Sequence, residues 1–333
     1  MNVMTKIQAA RQEYTNWCRA IGIRTLDDVN ATIRRGEAVD LINLCEARQE
    51  RQYAAAADQI FWKRKECRIV MMSGPSSSGK TSSSLRIAQQ ARVLGLNPKV
   101  IEPDNYFVDR DKTPRDEKGN YDYEALEAMD IDFLNAQLGT LLSGGEIEVP
   151  KFDFAHGVRV SSGVRMHLDS NDILFMEGIH ALDPALTPGI DQSRIFKIYI
   201  SALSSLPGGK KLHNSTTDKR LLRRIVRDNR TRGISPEDNI LRWPSVRQGE
   251  DKYIFPFEEN ADVVFNSSTL YDLPLLKYYA SPLLYGISES SPAYRKAQSL
   301  LKFLENVEVL KPSEIAAVPP TSIMREFIGG QTL

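Results

Sequence analysis

The run Gly74-Pro75-Ser76-Ser77-Ser78-Gly79-Lys80-Thr81 fits the spacing G-x-x-x-x-G-K-[ST] in full, between an apolar strand-like segment and a helical one. That spacing suits phosphate. Gly74 and Gly79 let the loop close its backbone N–H groups, those of Ser76, Ser77 and Ser78 among them, around phosphate oxygens. The helix N-terminus adds its positive dipole end. Lys80 is expected to bridge the β- and γ-phosphates of ATP, and Thr81 to ligate Mg²⁺.

Such a loop belongs to sheets whose ligands sit beyond the carboxyl ends of the strands, so acidic residues at those ends are the ones to inspect. Asp104 follows Val100-Ile101-Glu102-Pro103, where a second strand should end. A carboxylate there can accept the proton of an attacking hydroxyl, or cap a helix or turn. Glu177 closes the apolar run Ile173-Leu174-Phe175-Met176 and precedes Gly178. That placement delivers a carboxylate to Mg²⁺ or its water shell; a surface glutamate is the rival reading.

Arginines supply the remaining charge. At 100° per residue, Arg220, Arg223, Arg224, Arg227 and Arg230 share an arc of about 120°, opposite Leu221, Leu222, Ile225 and Val226. Among nearby acids Asp228 alone approaches the arc, so an anion should offset the repulsion. A neutral chain with one basic stripe favours a nucleotide triphosphate over DNA. Gly233 and Pro236 end the helix and leave Arg232 at its edge. We read a lid that closes positive charge over a transferring phosphoryl group.

These groups need a scaffold. Short apolar segments at 69–73, 99–102, 172–176, 195–200 and 261–265 alternate with helical stretches at 81–94, 123–142, 217–232, 270–284 and 292–306. That is the pattern of a doubly wound α/β fold with a mainly parallel sheet. We expect a helical extension over 1–67, the main domain over 68–310 and an irregular tail over 311–333. The stretch 203–216 lacks periodicity and reads as a long mobile loop. Leu142-Ser143-Gly144-Gly145-Glu146 resembles the signature of ABC-type ATPases, but it follows a helical run instead of opening one, so we read a helix stop.

Lysine and arginine number 43 and aspartate and glutamate 43, so any strong nucleic-acid or membrane role would need a local patch. Apolar runs of about four residues fall far short of the roughly 18 that span a bilayer. The N-terminal stretch carries Lys6, Arg11 and Glu13 without an apolar core, so no secretory signal is expected. Cys18, Cys45 and Cys67 suit neither a disulfide framework nor a zinc site. A reducing cytoplasm is the expected location.

From about 68 to 284 the motifs together resemble the uridine kinase and phosphoribulokinase group of P-loop kinases. The matching parts are the phosphate loop, Pro103-Asp104-Asn105-Tyr106-Phe107, Tyr121-Asp122, Pro150-Lys151-Phe152-Asp153-Phe154, Glu177-Gly178-Ile179 and Arg223-Arg224-Ile225-Val226-Arg227-Asp228. The ending Ile323-Met324-Arg325-Glu326-Phe327-Ile328-Gly329-Gly330 is similar to that of a long bacterial subgroup whose kinase part follows modules resembling those of threonyl-tRNA synthetase. By that likeness 1–67 corresponds to connecting helices.

The resemblance implies that Asp104 is the catalytic base and that Asp122, with Tyr121, holds the ribose hydroxyls. It implies that Phe152 and Phe154 line a nucleobase slot, and that Arg224, Arg227 and Arg232 are lid arginines, with Ile234 departing from a further one. The family's base-reading histidine is out of register: Gly157 stands there and His156 lies one before. The implied activity is ATP- and Mg²⁺-dependent phosphorylation of the 5′-hydroxyl of uridine or cytidine. A kinase for a sugar phosphate or other small alcohol, or a non-catalytic nucleotide-binding module, are the alternatives. The expected partner is a small-molecule nucleoside, with no nucleic acid or membrane, and homo-oligomerisation is left open.

Overall fold

The computed structural model describes residues 4–115, 119–203 and 215–333. The chain begins with helices α1 (Lys6–Ala20), α2 (Leu26–Arg34) and α3 (Ala38–Lys63). Strand β1 (Ile69–Ser73), helix α4 (Lys80–Val93), strand β2 (Asn97–Ile101) and helix α5 (Ile131–Leu142) follow. Then come the strands β3 (Ile147–Asp153), β4 (Val158–Met166), β5 (Asp172–Glu177) and β6 (Ile195–Ser201). Helices α6 (Ser215–Arg232) and α7 (Pro236–Tyr253) precede strand β7 (Val263–Asn266). Helices α8 (Asp272–Tyr285), α9 (Tyr294–Leu304), α10 (Pro312–Ala316) and α11 (Met324–Ile328) complete the described order.

Five strands form one parallel sheet in the order β2-β5-β1-β6-β7, so the chain reverses its direction of travel across the sheet around β1. Every residue of β1 and β6 is buried, as expected of central parallel strands covered on both faces. One face packs on α3 and α4 through Tyr53, Ala57, Ile60, Ile87 and Ala91. The other packs on α5 through Leu134, Leu138 and Leu141. β3 and β4 stand apart as an antiparallel pair.

The N-terminal helices are built into the core. Tyr14, Cys18, Val29, Ile33 and Leu41 join one apolar cluster with Leu222, Ile225, Leu276 and Phe327. Tyr53 stacks on Phe265 with ring centroids 4.8 Å apart, and Gln49 donates to the Asn266 carbonyl at 3.2 Å. No described helix is long and apolar enough to cross a membrane.

The structure differs from the sequence reading in several places. The helix expected over 123–142 starts at Ile131, because the Asp130 side chain caps it by accepting from the Phe133 N–H at 3.0 Å. It ends before Gly144, at φ +85°, as the helix-stop reading of the Leu-Ser-Gly-Gly-Glu run requires. Helix α7 was missed, although Ser235 as N-cap, Pro236 at the first position and the acidic Glu237 and Asp238 are a legible start signal. The tail expected to be irregular over 311–333 carries α10 and α11. It buries Ile315, Val318, Ile323, Met324 and Phe327, since apolar spacing too short to show a period still packs when a groove receives it. The loop read over 203–216 lies from 204 to 214 outside the described residues.

Candidate active site

Register gathers the site at one edge of the sheet. Met72 pairs with Glu177 and Ile101 with Met176, so the ends of β1, β5 and β2 lie level. The phosphate loop, Glu177 and Asp104 leave from those three ends. The Gly178 N–H donates to the Met72 carbonyl at 3.0 Å, and Ser73 Oγ to the Ile179 carbonyl at 3.0 Å, pinning the turn after β5 to the base of the loop.

The loop itself is tightly drawn. A Cβ at Gly74 would lie 1.9 Å from the Ile200 carbonyl oxygen, so only glycine fits against β6 there. Gly79 takes φ +84° at the start of α4. Lys80 Nζ donates to the Gly74 carbonyl at 2.8 Å, folding its side chain back over the loop. Burial lowers the Lys80 pKa, while Glu177, Glu326 and Glu250 raise it. Ser77 and Ser78 are buried, and their hydroxyls have no hydrogen-bond partner among the described residues. Ser76 is different, because its N–H already donates to Glu250 Oε1 at 2.8 Å and its Oγ accepts from Arg224 at 2.8 Å. As placed, it is held by α6 and α7 and offers no free N–H to phosphate.

Thr81 Oγ1 donates to Glu177 Oε1 at 2.7 Å, so the two residues singled out for Mg²⁺ meet. The second carboxylate oxygen, Glu177 Oε2, is buried without a partner among the described residues, and burial raises the Glu177 pKa. A buried, unsatisfied carboxylate oxygen beside a hydroxyl fits a hard cation or its water shell. Thr81 and Glu177 are the residues that would hold it.

Lys80, Asp104 and Glu177 line one cavity of about 340 Å³, with Phe107, Tyr123, Met129, His180 and Leu186 among its other walls. The Asp104 carboxylate is solvent-accessible, yet the surrounding protein raises its pKa. Glu102 adds to the rise and Lys80 opposes it. His180 is buried, donates from Nε2 to the Glu124 carbonyl at 2.9 Å and stands edge-on to Tyr253. Burial lowers its pKa.

The expected acceptor residues lie around this cavity and not in its lining. Phe152 and Phe154 do share a face, with centroids 5.2 Å apart, and both meet Phe107 edge-on. Phe152 is buried and Phe154 is 60% exposed, so Phe107 is the ring that reaches the cavity. Asp122 accepts from the Glu124 N–H at 3.1 Å and from the Tyr253 hydroxyl at 3.4 Å. Tyr121 lies under Arg115 and tilts against Tyr123. His156 is exposed on the turn after β3 and binds Asp153 at 2.6 Å.

A family model described as Phosphoribulokinase / Uridine kinase matches residues 69–273. The chain belongs to that family. The uridine kinase of Staphylococcus aureus strain JH9 is 29% identical to this kinase over 201 residues, which are 60% of this chain and 87% of the relative. Two solved structures are also similar. One, described as a "putative fructose transport system kinase" from Silicibacter sp. TM1040, is 16% identical, with a TM-score of 0.45 over 64% of this chain and 98% of its own. The other, described as a possible uridine kinase from Bacillus stearothermophilus, is 20% identical, with a TM-score of 0.38 over 63% of this chain and 98% of its own.

In this kinase the arginine stripe divides. Arg220 and Arg223 are buried and bind the chain's own carboxylates, Arg220 to Glu250 and Arg223 to Asp272 at 2.7 Å. They are not part of an anion-facing surface, which corrects the reading of a five-arginine arc awaiting an external anion. Arg224, Arg227 and Arg232 instead converge on buried Asp228, at 3.5, 2.8 and 3.5 Å. Gly157 has φ +70°, and a Cβ there would lie 2.6 Å from Arg110 Nε. The guanidinium of Arg110 fills the space a histidine side chain would need. Phe107, Tyr123, Glu124 and His180 were missed as site residues. Phe107 closes the motif at 103–107, Tyr123 and Glu124 follow Tyr121-Asp122, and His180 follows Glu177-Gly178-Ile179, which was the available signal.

Proposed function

We propose that this kinase transfers the γ-phosphoryl group of ATP to the 5′-hydroxyl of a ribonucleoside, uridine or cytidine first among them. The observation that carries this is the cavity in which Lys80, Asp104 and Glu177 meet a wall of Phe107, Tyr123 and Met129. Aromatic and apolar walls with a few convergent polar groups suit a flat base. Among the described lining residues Lys80 is the sole lysine or arginine, so a second phosphate on a sugar would lack a fixed cationic partner.

The acceptor oxygen forms a bond to the γ-phosphorus as the bond to the β,γ-bridging oxygen breaks and ADP leaves. Asp104 takes the hydroxyl proton, its raised pKa making it the stronger base. The backbone of the loop and Lys80 hold the phosphates, and Arg224, Arg227 and Arg232 stabilise developing charge. Mg²⁺, when bound at Thr81 and Glu177, neutralises charge on the β- and γ-phosphates. Asp122 accepts from the Glu124 N–H and the Tyr253 hydroxyl beside the cavity, and so orders the segment that places Tyr123 and Glu124 in its wall. The three cysteines are buried free thiols, which supports a reducing cytoplasm, with small molecules as partners.

ADP release from ATP and Mg²⁺ should be measured with uridine, cytidine, a purine nucleoside, a pentose phosphate and no acceptor. Release driven by the pyrimidine nucleosides supports the proposal. Release with the pentose phosphate alone would replace it by a sugar-phosphate kinase, and nucleotide binding without transfer to any acceptor by a sensing module.

A further inference from the structure

The family match ends at residue 273, yet the C-terminal residues return to the phosphate loop. Ser82, directly after Thr81 in the first turn of α4, donates through Oγ to Glu326 Oε2 at 2.6 Å. Gln331 Nε2 donates to the same Ser82 oxygen at 2.8 Å. The other Glu326 oxygen lies 3.8 Å from an Arg227 nitrogen. Arg230 donates to the backbone carbonyls of Glu326 at 3.1 Å and Phe327 at 3.2 Å, so α6 and α11 are joined on two levels. Ile323 closes over the loop: a Cβ at Gly79 would lie 2.2 Å from its Cδ1.

One carboxylate therefore spans the two elements whose separation sets where phosphate and arginine charge meet. The α4 N-terminus carries the loop and its dipole, and α6 carries the lid arginines. A site performs only when its elements are held to within a fraction of an ångström, and a displacement of about 1 Å can cost up to about a hundredfold in rate. The Glu326 side chain is 17% exposed, so it is neither a free surface charge nor a deep core group.

We propose that segment 322–331 forms part of the nucleotide site and that Glu326 is a positioning residue, fixing the first turn of α4 against α6 through Ser82 and Arg227. The proposal rests on the P-loop kinase reading and is independent of the acceptor. It assigns to residues outside the family match the task of setting ATP affinity.

The test uses the full chain with Glu326→Ala, Glu326→Gln, Ser82→Ala and the Glu326→Ala/Ser82→Ala pair. Mg²⁺–ATP binding is measured by calorimetry without acceptor, alongside thermal melting and steady-state kinetics. Glu326→Ala should weaken ATP binding and raise the KM for ATP about tenfold, with the acceptor KM unchanged. Glu326→Gln keeps an oxygen for Ser82 and should recover most of the loss, and the pair should bind no more weakly than Glu326→Ala. Unchanged ATP affinity in folded Glu326→Ala overturns the proposal, as does tighter binding, which would make the carboxylate an obstruction. If Glu326→Ala does not fold, wild-type ATP affinity in Ser82→Ala overturns it. ATP binding is read without acceptor, so failure of every nucleoside would sink the acceptor assignment and leave this test intact.

Discussion

The backbone N–H of Ser76, inside the phosphate loop, donates to the Glu250 carboxylate of α7 at 2.8 Å. The same carboxylate receives both terminal Arg220 nitrogens, at 2.5 and 2.8 Å, and Arg247 at 2.7 Å. Arg220 in turn donates to the Ser76 carbonyl at 3.0 Å. The loop that should hold phosphate is thus clamped to the helix pair α6 and α7 by a buried ion pair.

Removing one partner of a buried pair leaves an uncompensated charge and costs about 3–5 kcal/mol. Glu250→Ala should lose that much in urea denaturation and loosen the loop with it. Arg224→Ala, which gives up a partly exposed contact to Ser76 Oγ, should lose far less. Equal losses in the two variants would show that the clamp is not where the stability lies.

Asp104→Asn should leave ATP affinity nearly intact and cut turnover by roughly 10² to 10⁴, the usual contribution of a general base. Wild-type turnover in this variant would remove Asp104 from the mechanism.

The raised Asp104 pKa has a sign for stability too. Between its ordinary value, about 3.9, and its higher folded value, the folded state binds more protons than the unfolded one. Stability contributed by the protonated group is then lost as pH rises through the folded pKa. Asp104→Asn should therefore raise the melting temperature at pH 7 relative to wild type and do so less at pH 3.5. An equal or opposite shift at the two pH values would contradict the desolvation of Asp104 by the surrounding protein.

The arginines of α6 should separate into two classes. Arg223→Ala strips buried Asp272 of a partner, leaving Lys219 at 3.0 Å, and should destabilise the fold by about 3 kcal/mol or more. Arg227→Ala leaves buried Asp228 with Arg224 and Arg232 at 3.5 Å, so it should destabilise less than Arg223→Ala while lowering turnover. Normal activity per folded molecule in Arg227→Ala would end its role in the lid.

For the acceptor, Phe107→Ala and Tyr123→Ala should each raise the nucleoside KM about tenfold, within the 1–3 kcal/mol that stacking of a base on an aromatic ring contributes. His156→Ala should leave it unchanged, because that ring sits exposed beside Asp153. A large His156 effect would move base recognition to the β3–β4 turn.

The phosphate loop, the strand-end carboxylates Asp104 and Glu177, and the succession of parallel strands were all legible in the sequence. Each is written in neighbouring residues: a fixed spacing of glycine, lysine and threonine, or an apolar run that stops at an acid. The arginine arc was legible only as an angle about its own axis. A helical wheel says which side chains share a face, and it is silent on what packs there. Only the folded chain decided that Arg220 and Arg223 are buried against Glu250 and Asp272 while Arg224 reaches Ser76 Oγ in the loop, because α7 and α8 supply those carboxylates from afar. Ser76 meets Glu250 across 174 residues and Ser82 meets Glu326 across 244, and no local pattern carries such pairings. The sequence by itself determined what chemistry this protein carries and on which strands. Tertiary packing decided which charges remain free to perform it, since a charge is spent or available according to the partner that burial brings to it.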